Sequence, residues 1–95
     1  MALMWTNQAA RDLEDIHSFL EPRDPQAAAR IIQRLARIAK DVLEVAPDAG
    51  RPGRVEGTRE LVVTRTPYII AYEVDRDDVR IVSVIHSRRV WPEAF

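Results

Sequence analysis

The sequence contains no cysteine and no long apolar run, and Lys40 is its only lysine. Without thiols the chain can form neither a disulfide nor a thiolate metal site, so its core must hold itself or use a partner's surface. No segment approaches the ~20 apolar residues of a membrane helix, and Met1–Thr6 lacks the basic start and apolar stretch of a signal peptide. We therefore expect a cytoplasmic protein without a membrane partner.

The 95 residues leave room for one domain, residues 1–95, with one modest core. The formal net charge of -1 gives no global attraction to nucleic acid, so any such surface must be local. All basic residues except Lys40 are arginines, whose planar fork suits phosphate and carboxylate groups. A GC-rich genome would produce the same bias, and the abundance of alanine favours that second explanation.

Two amphipathic helices are predicted after a short N-terminal edge strand, Ala2–Trp5. Apolar residues at three-to-four spacing indicate the first helix over Asn7–Leu20, with Thr6 as its N-cap. Two prolines then break the chain, and Asp24 caps a second helix that runs from Pro25 to about Ala46. The tight turn between the helices predicts an antiparallel helical hairpin.

The second half of the chain predicts a β-meander. Asp48–Gly57 is rich in glycine and proline and is expected to be an irregular loop. The three runs that follow, Arg59–Arg65, Tyr68–Val74 and Val79–His86, are rich in β-branched and aromatic residues and are separated by short turns. The predicted fold is α+β, with the helical hairpin on one face of the sheet and the other face partly open.

A titratable and basic group follows the last strand: His86, Arg88, Arg89 and Trp91 lie within six residues. Such a group could hold phosphates, stack a base or transfer a proton. A strand-ending histidine, two solvated arginines and a packing tryptophan would give the same sequence.

Two further arginines, Arg59 and Arg65, bracket the first meander strand. Being six residues apart, they should point to one sheet face and could extend a basic patch. Arginines that only blunt a strand edge are the alternative.

No pattern in the sequence indicates a metal or a cofactor. The two histidines are far apart and lack cysteine companions, and the acidic run Asp75–Asp78 lacks the glycine and distal glutamate of a calcium loop. No phosphate-cradling glycine pattern and no serine elbow is present.

The chain nevertheless resembles one known family over nearly its whole length. The order and spacing of several segments are similar to those of RelE/ParE-family toxins: Trp5-Thr6 before Ala9 and Asp12-Leu13, Pro47 with Gly50-Arg51, Gly57-Thr58-Arg59-Glu60, Pro67 to Tyr72, and Val84-Ile85-His86 before Arg88-Arg89 and Trp91-Pro92. The resemblance implies a cognate antitoxin, ParD-like, with a DNA-binding N-terminal part and a segment that wraps the toxin. The toxin itself is not expected to bind specific DNA sequences.

Two mechanisms occur in that family: RelE-like members cleave messenger RNA on the ribosome, and ParE-like members inhibit DNA gyrase. Ile69 stands where the ribonucleases commonly have an arginine, and Glu60 and Val62 replace basic residues of the preceding strand. Trp91 replaces a C-terminal tyrosine and cannot act as acid or base. The acidic sequence pI of about 6.1 also disfavours binding to ribosomal RNA.

The resemblance thus favours a ParE-like gyrase inhibitor over an enzyme. Its expected target contacts are Arg59, Arg65, His86, Arg88, Arg89 and Trp91. The first alternative is a ribonuclease that uses His86 as acid or base and Arg88 or Arg89 as phosphate clamps. The second is a module without toxicity that only binds the antitoxin.

Overall fold

The computed structural model describes residues 2–95, in which two helices pack against a five-stranded sheet. In chain order the elements are β1 (Leu3–Trp5), α1 (Asn7–Leu20), α2 (Pro25–Ile38), β2 (Arg51–Pro52), β3 (Arg59–Val62), β4 (Tyr68–Asp75) and β5 (Asp78–His86). The strand order is β1-β5-β4-β3-β2, with β1 parallel to β5 and every other neighbouring pair antiparallel. The predicted α+β class is confirmed, and the sheet is mixed.

Both helices begin where the capping residues predict. The Thr6 hydroxyl accepts a hydrogen bond from the Ala9 backbone at 3.1 Å, and the Asp24 carboxylate accepts one from Ala27, also at 3.1 Å. Pro25 occupies the first turn of α2, where its missing N–H costs nothing. These local bonds explain why the starts of α1 and α2 can be predicted from sequence.

The end of the second helix differs from the prediction. Regular α2 ends at Ile38, and the chain continues as a wider π-helical turn over Ala39–Leu43 rather than as α-helix to Ala46. Ala39 and Leu43 are both fully buried, so this wide turn fits two side chains into the core. Packing sets the backbone here, against the continuous helical pattern of the sequence.

Two boundaries in the second half also need correction. The glycine- and proline-rich loop contains the short strand β2, which pairs with Arg59 and Glu60. The first meander strand ends at Val62 rather than Arg65, because Thr66 donates hydrogen bonds back to the Val63 carbonyl and closes a turn. The predicted turn between β4 and β5 is confirmed.

The main core lies between the helices and one sheet face. Its fully buried members come from both helices and the turn after α2, from the residue that follows β3, and from β4 and β5. They include Ala9, Leu35, Ala39, Leu43, Val63, Ile70, Tyr72 and Ile81.

Most of the second sheet face is covered, and the partly open face that the sequence predicts is reduced to the part beside β3, where Val62 is half exposed. Ile69, Ala71 and Ile85 project to this side and are at most 5% exposed. The C-terminal segment, residues 87–95, lies across it, since Ser83 and Ile85 line a cleft together with residues of that segment. The chain therefore supplies its own cover for most of the second face.

Neither α1 nor α2, nor any other helical stretch within residues 2–95, is both long and apolar enough to cross a membrane.

Candidate functional site

The end of β5 forms a tight group around His86. The rings of His86 and Tyr68 meet edge to face, with centroids 5.5 Å apart. Nδ1 of His86 accepts a hydrogen bond from the Arg88 backbone at 3.1 Å, and Ser87 donates to the Pro67 carbonyl at 2.8 Å. Burial raises the pKa of the Tyr68 hydroxyl. The imidazole is thus fixed by its neighbours, with one ring nitrogen engaged by backbone.

A cleft of about 240 Å³ opens beside this group. Its walls include His86, Arg89 and Tyr68 on one side and Asp12 and Asp15 of α1 on the other. An imidazole and carboxylates could exchange protons with a ligand here, and a guanidinium could bind an anionic group. Two aspartates also repel an approaching phosphate, which is unfavourable for RNA.

Of the two arginines around β3, Arg59 begins the strand as the sequence predicts, but Arg65 lies outside it. Arg65 is in the turn after the strand, with a left-handed φ of 67°, so the two side chains do not share a sheet face. Arg59 donates to the carbonyls of Gly50 at 3.0 Å and Asp48 at 3.1 Å, which ties down the preceding loop. The prediction of one patch from Arg59 and Arg65 is wrong.

Apart from Trp91, the residues predicted to contact a target lie in two separate places. His86, Arg88 and Arg89 stay together at the end of β5, and Arg65 lies in the turn next to that end. Arg59 pairs with Tyr72, four residues along β4 from Tyr68, which corresponds to about 13 Å.

An ion-pair cluster that the sequence did not indicate lies on the second sheet face, where β2 pairs with β3. The carboxylate of Glu60, only 2% exposed, accepts hydrogen bonds from Arg51 at 2.9 Å and from the Arg54 side chain at 3.0 Å. The Arg54 backbone donates as well, at 2.8 Å. Burial alone would raise the pKa of Glu60, but these bonds and the charge of Arg54 outweigh it and lower the pKa to about 2.

Trp91 connects the C-terminal segment to this cluster. The guanidinium carbon of Arg54 lies 3.8 Å from the centroid of the Trp91 ring, and Phe95 meets Trp91 edge to face at 6.3 Å. Among the described residues no group accepts a hydrogen bond from the buried indole N–H. Trp91 is therefore engaged within the molecule, on the same Arg54 that binds Glu60.

Ile69, Glu60 and Val62 are the strand positions at which the sequence departs from the ribonucleases of the family. Ile69 is buried on the second sheet face, and Glu60 is neutralised by two arginines. Val62 is half exposed and apolar. These side chains offer no acid, base or free cation to a reacting phosphate, whereas His86 and its arginine neighbours could do so.

Within residues 2–95 no group of three or more histidine, cysteine or carboxylate side chains is placed to hold a metal ion.

Comparison with known proteins identifies the family. The family described as "ParE toxin of type II toxin-antitoxin system, parDE" matches residues 3–91. "Putative toxin Y4kP" of Sinorhizobium fredii (strain NBRC 101917 / NGR234) is 45% identical over 93 residues, covering 98% of this chain and 95% of that protein.

Two solved structures share the fold. A chain of the chromosomal ParDE toxin–antitoxin system from P. aeruginosa has a TM-score of 0.82 and 31% identity, over 90% of this chain and 95% of that one. A chain of the toxin–antitoxin complex RelBE2 from Mycobacterium tuberculosis has a TM-score of 0.65 and 28% identity, over 90% and 88%. On sequence and fold together, this chain belongs to the ParE family of type II toxin–antitoxin toxins.

Proposed function

We propose that this protein inhibits growth by binding DNA gyrase and that a cognate antitoxin neutralises it. The observation that carries the choice of gyrase over RNA cleavage is the state of Glu60. The resemblance implies that a ribonuclease would present basic side chains on this strand, and here both nearby arginines are bound to the Glu60 carboxylate at 2.9 and 3.0 Å. A neutralised, covered surface favours a protein target over a phosphodiester bond.

The proposed gyrase contact is the exposed end of β5 with the neighbouring turn. Arg65, Arg88 and Arg89 are exposed there, beside the partly exposed His86. Arg59 and Trp91 were also expected to contact the target. Because both make internal contacts, we propose that they support this surface by holding the loop and the C-terminal segment in place.

Inhibition of supercoiling by purified toxin tests the gyrase proposal. We expect micromolar wild-type protein to block supercoiling of relaxed plasmid, and Arg88→Ala/Arg89→Ala to require at least about tenfold more protein, since buried or interfacial arginine contacts are each worth about 1 kcal/mol or more. Arg11→Ala/Arg76→Ala removes the same charge elsewhere and should behave as wild type. Full supercoiling in the presence of micromolar wild type would rule out gyrase as the target.

One observation keeps RNA cleavage as the second candidate: His86 and Arg89 line the same cleft. A ribonuclease built on them would cleave messenger RNA in a translating extract and lose that activity in His86→Ala. We expect no cleavage by either protein. Cleavage that disappears in His86→Ala would replace the gyrase proposal.

The antitoxin part of the proposal rests on the relatives, whose solved structures are described as toxin–antitoxin systems. We expect expression of this chain alone to arrest growth and co-expression of a small neighbouring reading frame to restore it. Binding to the folded state should also raise the thermal midpoint of the toxin as antitoxin concentration increases. A chain that never arrests growth would instead be a module that only binds its partner.

A further inference from the structure

The charges of the two helices are segregated. From Pro25 to Lys40 the sequence holds four basic residues and no acidic one, although the whole chain has a net charge of -1. Helix α1 has the opposite balance, with Asp12, Glu14 and Asp15 against Arg11 alone. A local positive field therefore exists on α2 that the net charge conceals.

The basic side chains of α2 form one stripe along its outer face. Arg30, Arg34, Arg37 and Lys40 follow each other at intervals of three or four residues, which places them on one side of a helix. The first and last are about 15 Å apart along the axis. We call these four residues the α2 stripe.

The surface between these cations is flat and neutral. The remaining exposed residues of this face are short or uncharged: Gln26, Ala29, Gln33 and Ala36. Ala36 lies between Arg37 and Lys40 in a shallow depression that Gln33 also lines. A charged polymer could approach the helix closely here, until it meets the exposed Asp41 at the end of the stripe.

The α2 stripe is not neutralised within the molecule. Among residues 2–95 no carboxylate lies within 4.0 Å of its cationic nitrogens, whereas Arg51, Arg54 and Arg80 all have carboxylate partners. Arg34 donates instead to the carbonyl and the hydroxyl of Thr64, at 2.7 and 2.9 Å. These bonds bring the turn that carries Arg65 against the stripe and extend the basic surface.

We infer that the α2 stripe binds the phosphodiester backbone of a nucleic-acid duplex without reading its sequence. Four cations without a carboxylate partner over about 15 Å match the roughly four phosphates that one strand presents along that length. Arginine holds phosphate through paired donors, and the neutral residues between impose no steric or charge penalty. No base-reading element accompanies the stripe, so affinity should be weak and independent of sequence.

Binding to a labelled duplex tests this inference separately from the gyrase proposal, because no gyrase is present. Fluorescence anisotropy with 20-base-pair random-sequence duplexes, one of DNA and one of RNA, should give dissociation constants of about 10⁻⁶ to 10⁻⁴ M in the usual range for non-specific contacts. With four phosphate contacts on duplex DNA, the logarithm of affinity should fall with the logarithm of salt concentration at a slope of about -3.6. The duplex that the protein binds more tightly shows whether DNA or RNA supplies the phosphate backbone.

Two variants that remove the same charge decide whether the α2 stripe is responsible for duplex binding. Arg30→Gln/Arg37→Gln/Lys40→Gln should weaken binding at least about tenfold and bring the salt slope below about one in magnitude, because three phosphate contacts are lost. Arg11→Gln/Arg23→Gln/Arg76→Gln removes the same charge away from α2 and should change affinity less than about twofold. Lys40→Glu alone serves as a second stripe variant if circular dichroism shows that the triple variant is unfolded.

Three outcomes overturn the inference. The first is an absence of duplex binding at 0.1 mM protein in about 50 mM salt, where such contacts are strongest. The second is equal loss of affinity in the two triple variants, which would reduce the effect to overall charge. The third is tighter binding of polyglutamate than of either duplex at equal charge concentration, which would assign the stripe to an acidic protein partner.

Discussion

Arg54 lies over the ring of Trp91, 3.8 Å from its centroid, while the same side chain donates hydrogen bonds to Glu60. Arg54 thereby joins three parts of the chain that are distant in sequence: the loop before β3, the strand itself and the C-terminal segment. Because the buried Ile85 lines a cleft together with Trp91, the Arg54–Trp91 contact also helps to protect apolar surface from water.

Energetic coupling between Arg54 and Trp91 is the first prediction. A double-mutant cycle with Arg54→Met and Trp91→Leu, measured by urea denaturation, should give a coupling of about 0.5–2 kcal/mol, the range for a partly desolvated cation on an aromatic face. The matched cycle of Arg54→Met with Phe95→Leu should give close to zero, because Phe95 contacts Trp91 rather than Arg54. Equal coupling in both cycles would contradict a specific contact.

Acid sensitivity centred on Glu60 is the second prediction. Its folded-state pKa is about 2, below the unfolded value of 4.5, so its contribution is fully present above pH 4.5 and is lost as pH falls towards 2. That contribution is at most about 3–4 kcal/mol, since each pKa unit corresponds to about 1.4 kcal/mol.

Urea denaturation at pH 7 and at pH 3 measures this effect. Glu60→Gln should lower the free energy of unfolding at pH 7 and lose less stability on acidification than wild type. Glu56→Gln, an exposed neighbour on the same loop, is the control and should keep the wild-type pH dependence. An unchanged pH dependence in Glu60→Gln would show that other carboxylates control acid unfolding.

Much of the helical layer could be predicted because its signals are local. Thr6 and Asp24 cap the two helices through bonds to residues three positions away, and Pro25 suits only a first turn. The wide turn over Ala39–Leu43 could not be predicted in this way, since its backbone follows from how two buried side chains fit the core.

The part of the candidate site that is contiguous in sequence could be predicted. The part that depends on the pairing of strands could not. His86, Arg88 and Arg89 are neighbours in sequence and stay together in space. The Glu60 cluster depends on Arg51 lying opposite it in β2, a two-residue strand inside a loop without any periodic pattern. The C-terminal cover likewise arises from a contact between residues 37 positions apart, Arg54 and Trp91.

Asp12 is the subject of the third prediction. From sequence it is one of several acidic residues of α1. In the structure its carboxylate is buried and accepts hydrogen bonds from the edge of β5, where a neighbouring strand would otherwise pair. One oxygen accepts from the Ser83 hydroxyl at 2.6 Å and the Val84 backbone at 2.9 Å, and the other accepts from Gln8 at 2.8 Å. These bonds satisfy the edge of β5 beyond the end of β1.

Asp12→Asn should therefore cost about 2 kcal/mol of unfolding free energy. An amide has one acceptor oxygen, so its NH₂ group must face a donor on one side, and a buried unsatisfied donor costs about 1–3 kcal/mol. Glu14→Gln, on the exposed side of α1, should change stability by less than about 0.5 kcal/mol. Equal stability of the two variants in urea denaturation would contradict the edge-capping role.

Tyr72 is fully buried and connects β4 to the loop that follows the helices. The fourth prediction concerns the contribution of its hydroxyl to stability. It donates to the Pro47 carbonyl and accepts from the Gly50 N–H, both at 2.8 Å. Tyr72→Phe leaves both backbone groups without this partner and should cost about 1–3 kcal/mol. The same loop is held by Arg59, so its amide hydrogens should also exchange faster in the variant.

Tyr68→Phe is the matched control, because within residues 2–95 the Tyr68 hydroxyl makes no hydrogen bond in this structure while its ring packs in the same core. It should change stability by less than about 0.5 kcal/mol. Gly50→Ala should reproduce the loop defect independently, since a Cβ at Gly50 would come within 2.6 Å of the Tyr72 hydroxyl and 2.8 Å of the Glu60 carbonyl. If Tyr72→Phe and Tyr68→Phe lose equal stability, the aromatic rings and not the hydroxyl bridge hold the loop.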